Sequence, residues 1–200
     1  MATYEGIAAV SKAMIGLLRD ASGTFAHNNA LDFELVHPSF FDEGLRGPAI
    51  TLCLYRVSLN ASMRNAPTRK VVQANGQTQV FRAPLPLDLY YLLTAWANNV
   101  EMQQRLLGWS MRVLHDTPLL PATLINSHTT DVRAFEDGEG VELTFDQLGL
   151  QDWLAVWDKL KPKMQTSVCY IARLVTIQST SEIVEAAPVQ TRAFELAKPT

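Results

Sequence analysis

The sequence predicts an α+β fold in which helices pack on a largely antiparallel mixed sheet. Three observations predict it. Apolar residues make up 48% of the 200 residues, against 18% charged, which is enough for one continuous core and too much for a disordered chain. The runs 49–59 and 166–178 carry apolar side chains at both alternating sets of positions, as central strands do. Helices and strands also follow one another without the regular strand–helix–strand repeat of a doubly wound domain. The length fits one domain, or one domain plus an extended arm.

The first element is a helix over 4–21, where Ile7, Val10, Met14, Leu17 and Leu18 recur at helical spacing. Thr3 is placed to cap its start and Gly23 to end it. Residues 31–36 alternate apolar and acidic side chains as a short peripheral strand, and Pro38 breaks the run. In the strand over 49–59, Ile50, Leu52 and Leu54 fall on one face and Cys53, Tyr55, Val57 and Leu59 on the other. Residues 60–86 carry three prolines and an Asn75-Gly76 pair between Val71-Val72 and Val80-Phe81, the signature of a protruding hairpin or long loop.

By periodicity 87–97 suits either a buried strand or a helix; Pro84 and Pro86 before it and a fresh helix start after it favour strand. That start is Asn98, with Glu101 placed for a capping box and Met102, Leu106, Trp109 and Val113 on one face until Pro118. Residues 121–140 are polar and irregular and read as surface. A strand over 141–145 follows, then an amphipathic helix through Leu150, Trp153, Leu154, Trp157 and Leu160 that ends at Pro162. In the final strand, Val168, Tyr170, Ala172 and Leu174 lie opposite Cys169, Ile171, Val175 and Ile177. The domain is thus expected over 1–180. Residues 181–200 form an extended arm with Phe194 and Leu196, either a free tail or a segment docked on a neighbour.

Sites for small-molecule chemistry are not evident. The net charge of −3 gives no positive field for nucleic acid. No long apolar run is free of polar or charged residues, and no signal-peptide pattern opens the chain, so a soluble cytoplasmic protein without a membrane partner is expected. Cys53 and Cys169 sit alone in apolar strands as buried free thiols. Phosphate-loop, dinucleotide and nucleophile-elbow patterns are missing, and His27, His37, His115 and His128 fall in four separate segments without metal-ligand spacing. No catalytic residue, cofactor or metal is expected.

Charge is distributed unevenly. Residues 44–87 contain no acid but six basic residues, Arg46, Arg56, Arg64, Arg69, Lys70 and Arg82; residues 134–158 contain no base but seven acids, including Glu136, Asp137 and Glu139. These segments are either two solvated loops or the two halves of a head-to-tail contact between copies, which closes into a ring when the rotation permits.

Three blocks carry a resemblance. The stretch from Leu85 to Ala97 (LPLDLYYLLTAWA), the helix 101–115 with Gln104, Leu107 and Gly108, and residues 150–172 with Trp157 and SVCYI from Ser167 resemble the cap proteins of extracellular contractile injection systems. That family is related to contractile phage tail terminators, and the similarity covers roughly 3–179. The resemblance implies a tail-terminator-like α+β subunit, without cofactor or catalytic site, in a hexameric ring on the distal end of the inner tube. Such a ring contacts the contractile sheath and ends polymerisation, in a particle assembled in the cytoplasm. Candidate contact residues are Arg64, Arg69, Lys70 and Arg82, the acids Glu136, Asp137 and Glu139, and Phe194 and Leu196 on the arm. Two alternatives remain: a baseplate or tube-completion adaptor of the same apparatus, and a small hydrolase built from dispersed Ser, His and Asp.

Overall fold

A computed structural model describes residues 1–24, 31–39, 47–129, 133–160 and 164–183. In chain order the elements are α1 (Gly6–Ala21), β1 (Asp32–Leu35), β2 (Ala49–Leu59), β3 (Arg69–Val72), β4 (Thr78–Phe81), β5 (Leu85–Trp96), α2 (Val100–Asp116), β6 (Leu119–Pro121), α3 (Ala122–Ser127), β7 (Gly140–Asp146), α4 (Leu150–Leu160) and β8 (Ser167–Ile177). The main sheet has the order β1-β2-β5-β8-β7-β6, and β3 and β4 form a separate hairpin. Only β1 and β2 pair in parallel; every other ladder is antiparallel. The α+β class and the largely antiparallel mixed sheet are as the sequence predicts.

β5 lies between β2 and β8, and six consecutive residues, Tyr91 to Trp96, are buried. Leu87, Leu89, Tyr91, Leu93 and Ala95 face a core built with Val10, Met14 and Leu18 of α1, Leu106 and Leu114 of α2, and Ile125 of α3. Leu92 and Trp96 face the other way, with Ala49, Cys53 and Cys169, under Trp153, Val156 and Trp157 of α4. Two hydrogen bonds pair buried polar groups on the two faces, as low polarity favours. Ser11 on α1 gives its proton to the Ile7 carbonyl, so the Tyr91 hydroxyl, 2.8 Å away, donates to Ser11. Trp96 Nε1 donates to Thr51 Oγ1 at 2.9 Å.

Two β-bulges overturn the simple alternation. The β2–β5 register shifts between Leu54 and Arg56, so Tyr55 is extra. One extra residue inverts every later side chain. Val57 and Leu59 therefore pair with Leu89 and Leu87, on the Ile50–Leu52 face and not opposite it. In β8, Leu87 pairs with Val175 while Leu89 pairs with Ala172. Val168, Tyr170, Ala172, Val175 and Ile177 thus all serve the face under α1. Leu174, expected among them, turns outward with φ 61°, and Asp88 Oδ1 accepts from its N–H at 3.2 Å.

Smaller corrections concern helix ends and faces. α1 is N-capped by Glu5, without a side-chain cap bond, rather than by Thr3, whose hydroxyl accepts from Glu5 N–H. Its last turn is closed by Ser22 on the Arg19 carbonyl instead of by Gly23. α2 is capped by Asn99, which accepts from Glu101 N–H at 2.8 Å. Its buried stripe is Leu106, Leu107, Ser110 and Leu114; Met102, Trp109 and Val113 flank it, and Trp109 packs edge-on against Phe33. The segment 121–140 is not all surface: it supplies α3, with Ala122 and Ile125 buried, and Ala134 and Phe135, also buried. Asn126 ties these parts together, accepting from the Ala134 and Phe135 N–H groups and donating to the Phe135 carbonyl. On α4, Trp157 is buried but Leu150 and Leu154 face solvent; the expected stop, Pro162, lies outside the described residues.

α1 and α3 approach closely because Gly16 has no side chain. A Cβ there would lie 2.3 Å from His128 Nδ1, inside any permitted contact. We expect Gly16→Ala to cost about 1–3 kcal/mol through this overlap. In a His128→Ala background the same substitution should instead stabilise by up to about 1 kcal/mol, the helix propensity of alanine over glycine. Chemical denaturation of the four proteins checks the reversal of sign; a Gly16→Ala cost that persists without His128 would refute the contact.

Candidate interaction surface

The connection from β2 to β5 leaves the sheet at one end and carries the hairpin there. Asn60, 3% exposed, fixes its base: its N–H donates to the Pro86 carbonyl, its Oδ1 accepts from Met63 N–H, and its Nδ2 donates to both oxygens of Asp88 at 3.0 Å. Asp88 thereby joins the start of the excursion to the β8 bulge. In the sequence the only signal of this pair is a carboxylate, Asp88, inside an apolar strand. The hairpin turns through Gln73–Gln77, with Gly76 at φ 80°, the left-handed position that a three-residue loop reserves for glycine.

Residues 181–183 add to the free side of β4. Arg82 N–H donates to the Ser181 carbonyl and Ile183 N–H to the Val80 carbonyl, at 3.1 and 2.7 Å. The start of the expected arm is therefore bound to its own hairpin. Phe194 and Leu196, like Arg46, lie outside the described residues.

Parts of both charge-biased segments come to this end: 64–82 of the basic one and 136–139 of the acidic one. Arg69 on β3 stacks over Phe81, donates to Gln178 and reaches Glu136 at 3.5 Å. The Met1 amino group meets Glu136 and Glu139, and Arg133 meets Asp137. Glu136, Asp137 and Glu139 are thus balanced by three cations of the same chain. Arg64, Lys70 and Arg82 are exposed and make no ion pair with a described residue. Around them lie exposed apolar side chains, Leu59, Met63, Val72, Leu85 and Ile183.

Elsewhere the described residues hold two cavities of note. One, of about 490 Å³, is lined by Lys12, Ile15, Arg19, Phe33, Glu34, Leu35 and His128 and contains no serine. His115 is exposed at the end of α2. The hydrolase alternative therefore gains no Ser–His pairing from either residue. The other, of about 620 Å³, is a groove between β2 and α4 lined by Tyr55, Arg56, Asp152 and Val156 among others. Among the described residues no three His, Cys, Asp or Glu side chains converge as metal ligands, and no helix is long and apolar enough to cross a membrane.

The model of the Pvc16 N-terminal domain matches residues 9–191, nearly the whole chain. The chain belongs to the Pvc16 N-terminal domain family. Solved structures share the fold of this family member. A PVC sheath/tube terminator of an extracellular contractile injection system, in the extended state, superposes with a TM-score of 0.59 at 14% identity, over 97% of this chain and 64% of that one. The tube-terminating cap of the anti-feeding prophage gives 0.56 at 16% identity, over 94% of this chain and 60% of that one. The chain thus spans less than two thirds of either structure's length. No curated protein matches it.

Both cysteines are free and buried beneath α4, and burial pushes each thiol up to about 11. The Tyr55 hydroxyl donates to Asp146 Oδ2 at 3.4 Å, and burial raises its phenol as well. A thiol needs its anion to react. We expect neither cysteine of the native family member to label with a thiol reagent at pH 8, and both to label in denaturant; a native thiol that reacts at the free-cysteine rate would contradict this packing.

Proposed function

We propose that the chain is a structural cap that ends the tube of a phage-tail-like contractile injection particle. The observation that carries this reading is the shared fold over 97% and 94% of the chain with two proteins described as terminators of such tubes, together with membership of the family. In this reading, copies of the chain form a ring on the end of the inner tube and contact the sheath. Six copies are expected, matching the symmetry that the resemblance implies. Assembly takes place in the cytoplasm, before any release of the particle. The chain contributes surfaces, and no catalytic step or cofactor is part of the proposal.

Residues 181–200 serve in this reading as the arm. Their first residues leave along β4, and the sequence beyond carries Phe194 and Leu196 on alternate positions. An extended segment of this pattern can add to a sheet edge, its backbone supplying hydrogen bonds and its apolar side chains filling pockets. The occupied edge belongs to an adjacent subunit or to the sheath.

A tube that grows by adding identical subunits has no intrinsic length, so a terminator is read out as length. Particles assembled without this chain should carry tubes and sheaths of uncontrolled length, and restoring the chain should return one defined length in negative-stain images. Normal particles without it would remove the proposal. A chain ending at Ile183 should fold with unchanged thermal stability yet fail to restore that length if the arm docks; full restoration would leave the arm without a part in assembly.

A further inference from the structure

The acids that the sequence offers as partners for the basic hairpin are already balanced within the chain. Glu136, Asp137 and Glu139 face Arg69, Arg133 and the Met1 amino group. The hairpin end nevertheless keeps Arg64, Lys70 and Arg82 unpaired among the described residues, beside exposed Leu59, Met63 and Leu85. A surface that is both basic and apolar fits a partner that is acidic and apolar.

The chain carries such a surface on α4. Trp153, Val156 and Trp157 point into the sheet, so the helix turns Leu150, Leu154 and Asp158 outward at four-residue spacing. Leu150 is 73% exposed and Leu154 49%. Asp158 shares that face, whereas Asp152 lies on the opposite flank of the exposed half, at the rim of the groove that holds Arg56; both are exposed and make no ion pair with a described residue. α4 packs on Ala49, Cys53, Leu92, Trp96 and Cys169. In the β2–β5 ladder Ala49 pairs with Trp96, whereas the hairpin springs from the far end, where Leu59 pairs with Leu87.

We propose that the outer face of α4 in one copy docks on the hairpin end of the next, with Asp152 and Asp158 set against Arg64, Lys70 and Arg82, and Leu150 and Leu154 against Leu59, Met63 and Leu85. The occupant is a second copy of this chain because the two surfaces are complementary in charge, both carry exposed leucines, and do not overlap: α4 covers the sheet over Ala49–Tyr55 and the hairpin leaves beyond Leu59. Unlike surfaces make a heterologous contact, which repeats from copy to copy and closes into a ring at the right rotation. This inference rests on the ring in the proposed function and names the surfaces that build it.

A charge exchange tests it. One variant carries Arg64→Glu, Lys70→Glu and Arg82→Glu; the other carries Asp152→Lys and Asp158→Lys. Each is checked by circular dichroism and then by sedimentation, alone and mixed, at low and physiological salt and with tube protein present. Alone, each variant presents like charges at every contact, and its association midpoint should rise by about a hundredfold or more. Mixed, the two should restore rings of alternating copies, since each contact again joins opposite charges. Leu150→Ala with Leu154→Ala should weaken assembly at both salt concentrations. Wild-type-like association of the separate variants, or failure of the mixture to recover, overturns this contact while leaving the ring. Variants that keep the ring but lose tube binding would place the hairpin end against the tube, which also overturns it. A wild-type chain that stays monomeric with tube protein present removes the ring itself.

Discussion

The structure depends on the burial of β5 on both faces. A central strand that keeps its backbone groups in two ladders and both sets of side chains out of water constrains every neighbour. β2 and β8 must pair with it along almost its whole length, α1, α2 and α3 must cover one side, and α4 must cover the other. Buried polar pairs are found on both faces, Ser11 with Tyr91 on one and Thr51 with Trp96 on the other. Burial on the scale of an apolar side chain, roughly 1.5–3 kcal/mol each, offsets much of the cost of ordering this strand. Such a frame also leaves one end of the sheet free to carry a hairpin that contributes little to the core.

Much of this was legible in the residues. Two-sided apolar runs marked β2, β5 and β8, and Asn75-Gly76 between valine pairs marked the hairpin. What could not be read is where alternation breaks. A bulge changes the face of every later residue, and nothing in the string LYRVSL says that Tyr55 is the extra one. Leu174 is harder still, because a leucine at φ 61° goes against the usual steric preference and is supported by Asp88 from another strand. α3 was hidden for a different reason: it is six residues long, and its buried Ala122 and Ile125 are too few to make a stripe.

The candidate surface was half legible. Composition alone separated a basic segment from an acidic one, and part of each, Arg69 and Glu136 among them, comes to the hairpin end. Their meeting within one chain, through Arg69 and Glu136, joins residues 67 positions apart and is a property of the topology. The exposed stripe of α4 was masked by its own amphipathic pattern: five large apolar residues suggested one buried face, but with the two tryptophans turned inward, Leu150 and Leu154 are left outside.

A cap differs from a baseplate adaptor in position, even when fold, ring symmetry and tube contact are shared. The most direct measurement is therefore the location of this chain in intact particles, by cryo-electron microscopy with a tag placed in the solvent-facing hairpin turn at Asn75. Density for the tag is expected at one end of each particle, the end away from the baseplate, in both full-length and shortened tubes. Tag density at the baseplate, or distributed along the sheath, would contradict the cap reading.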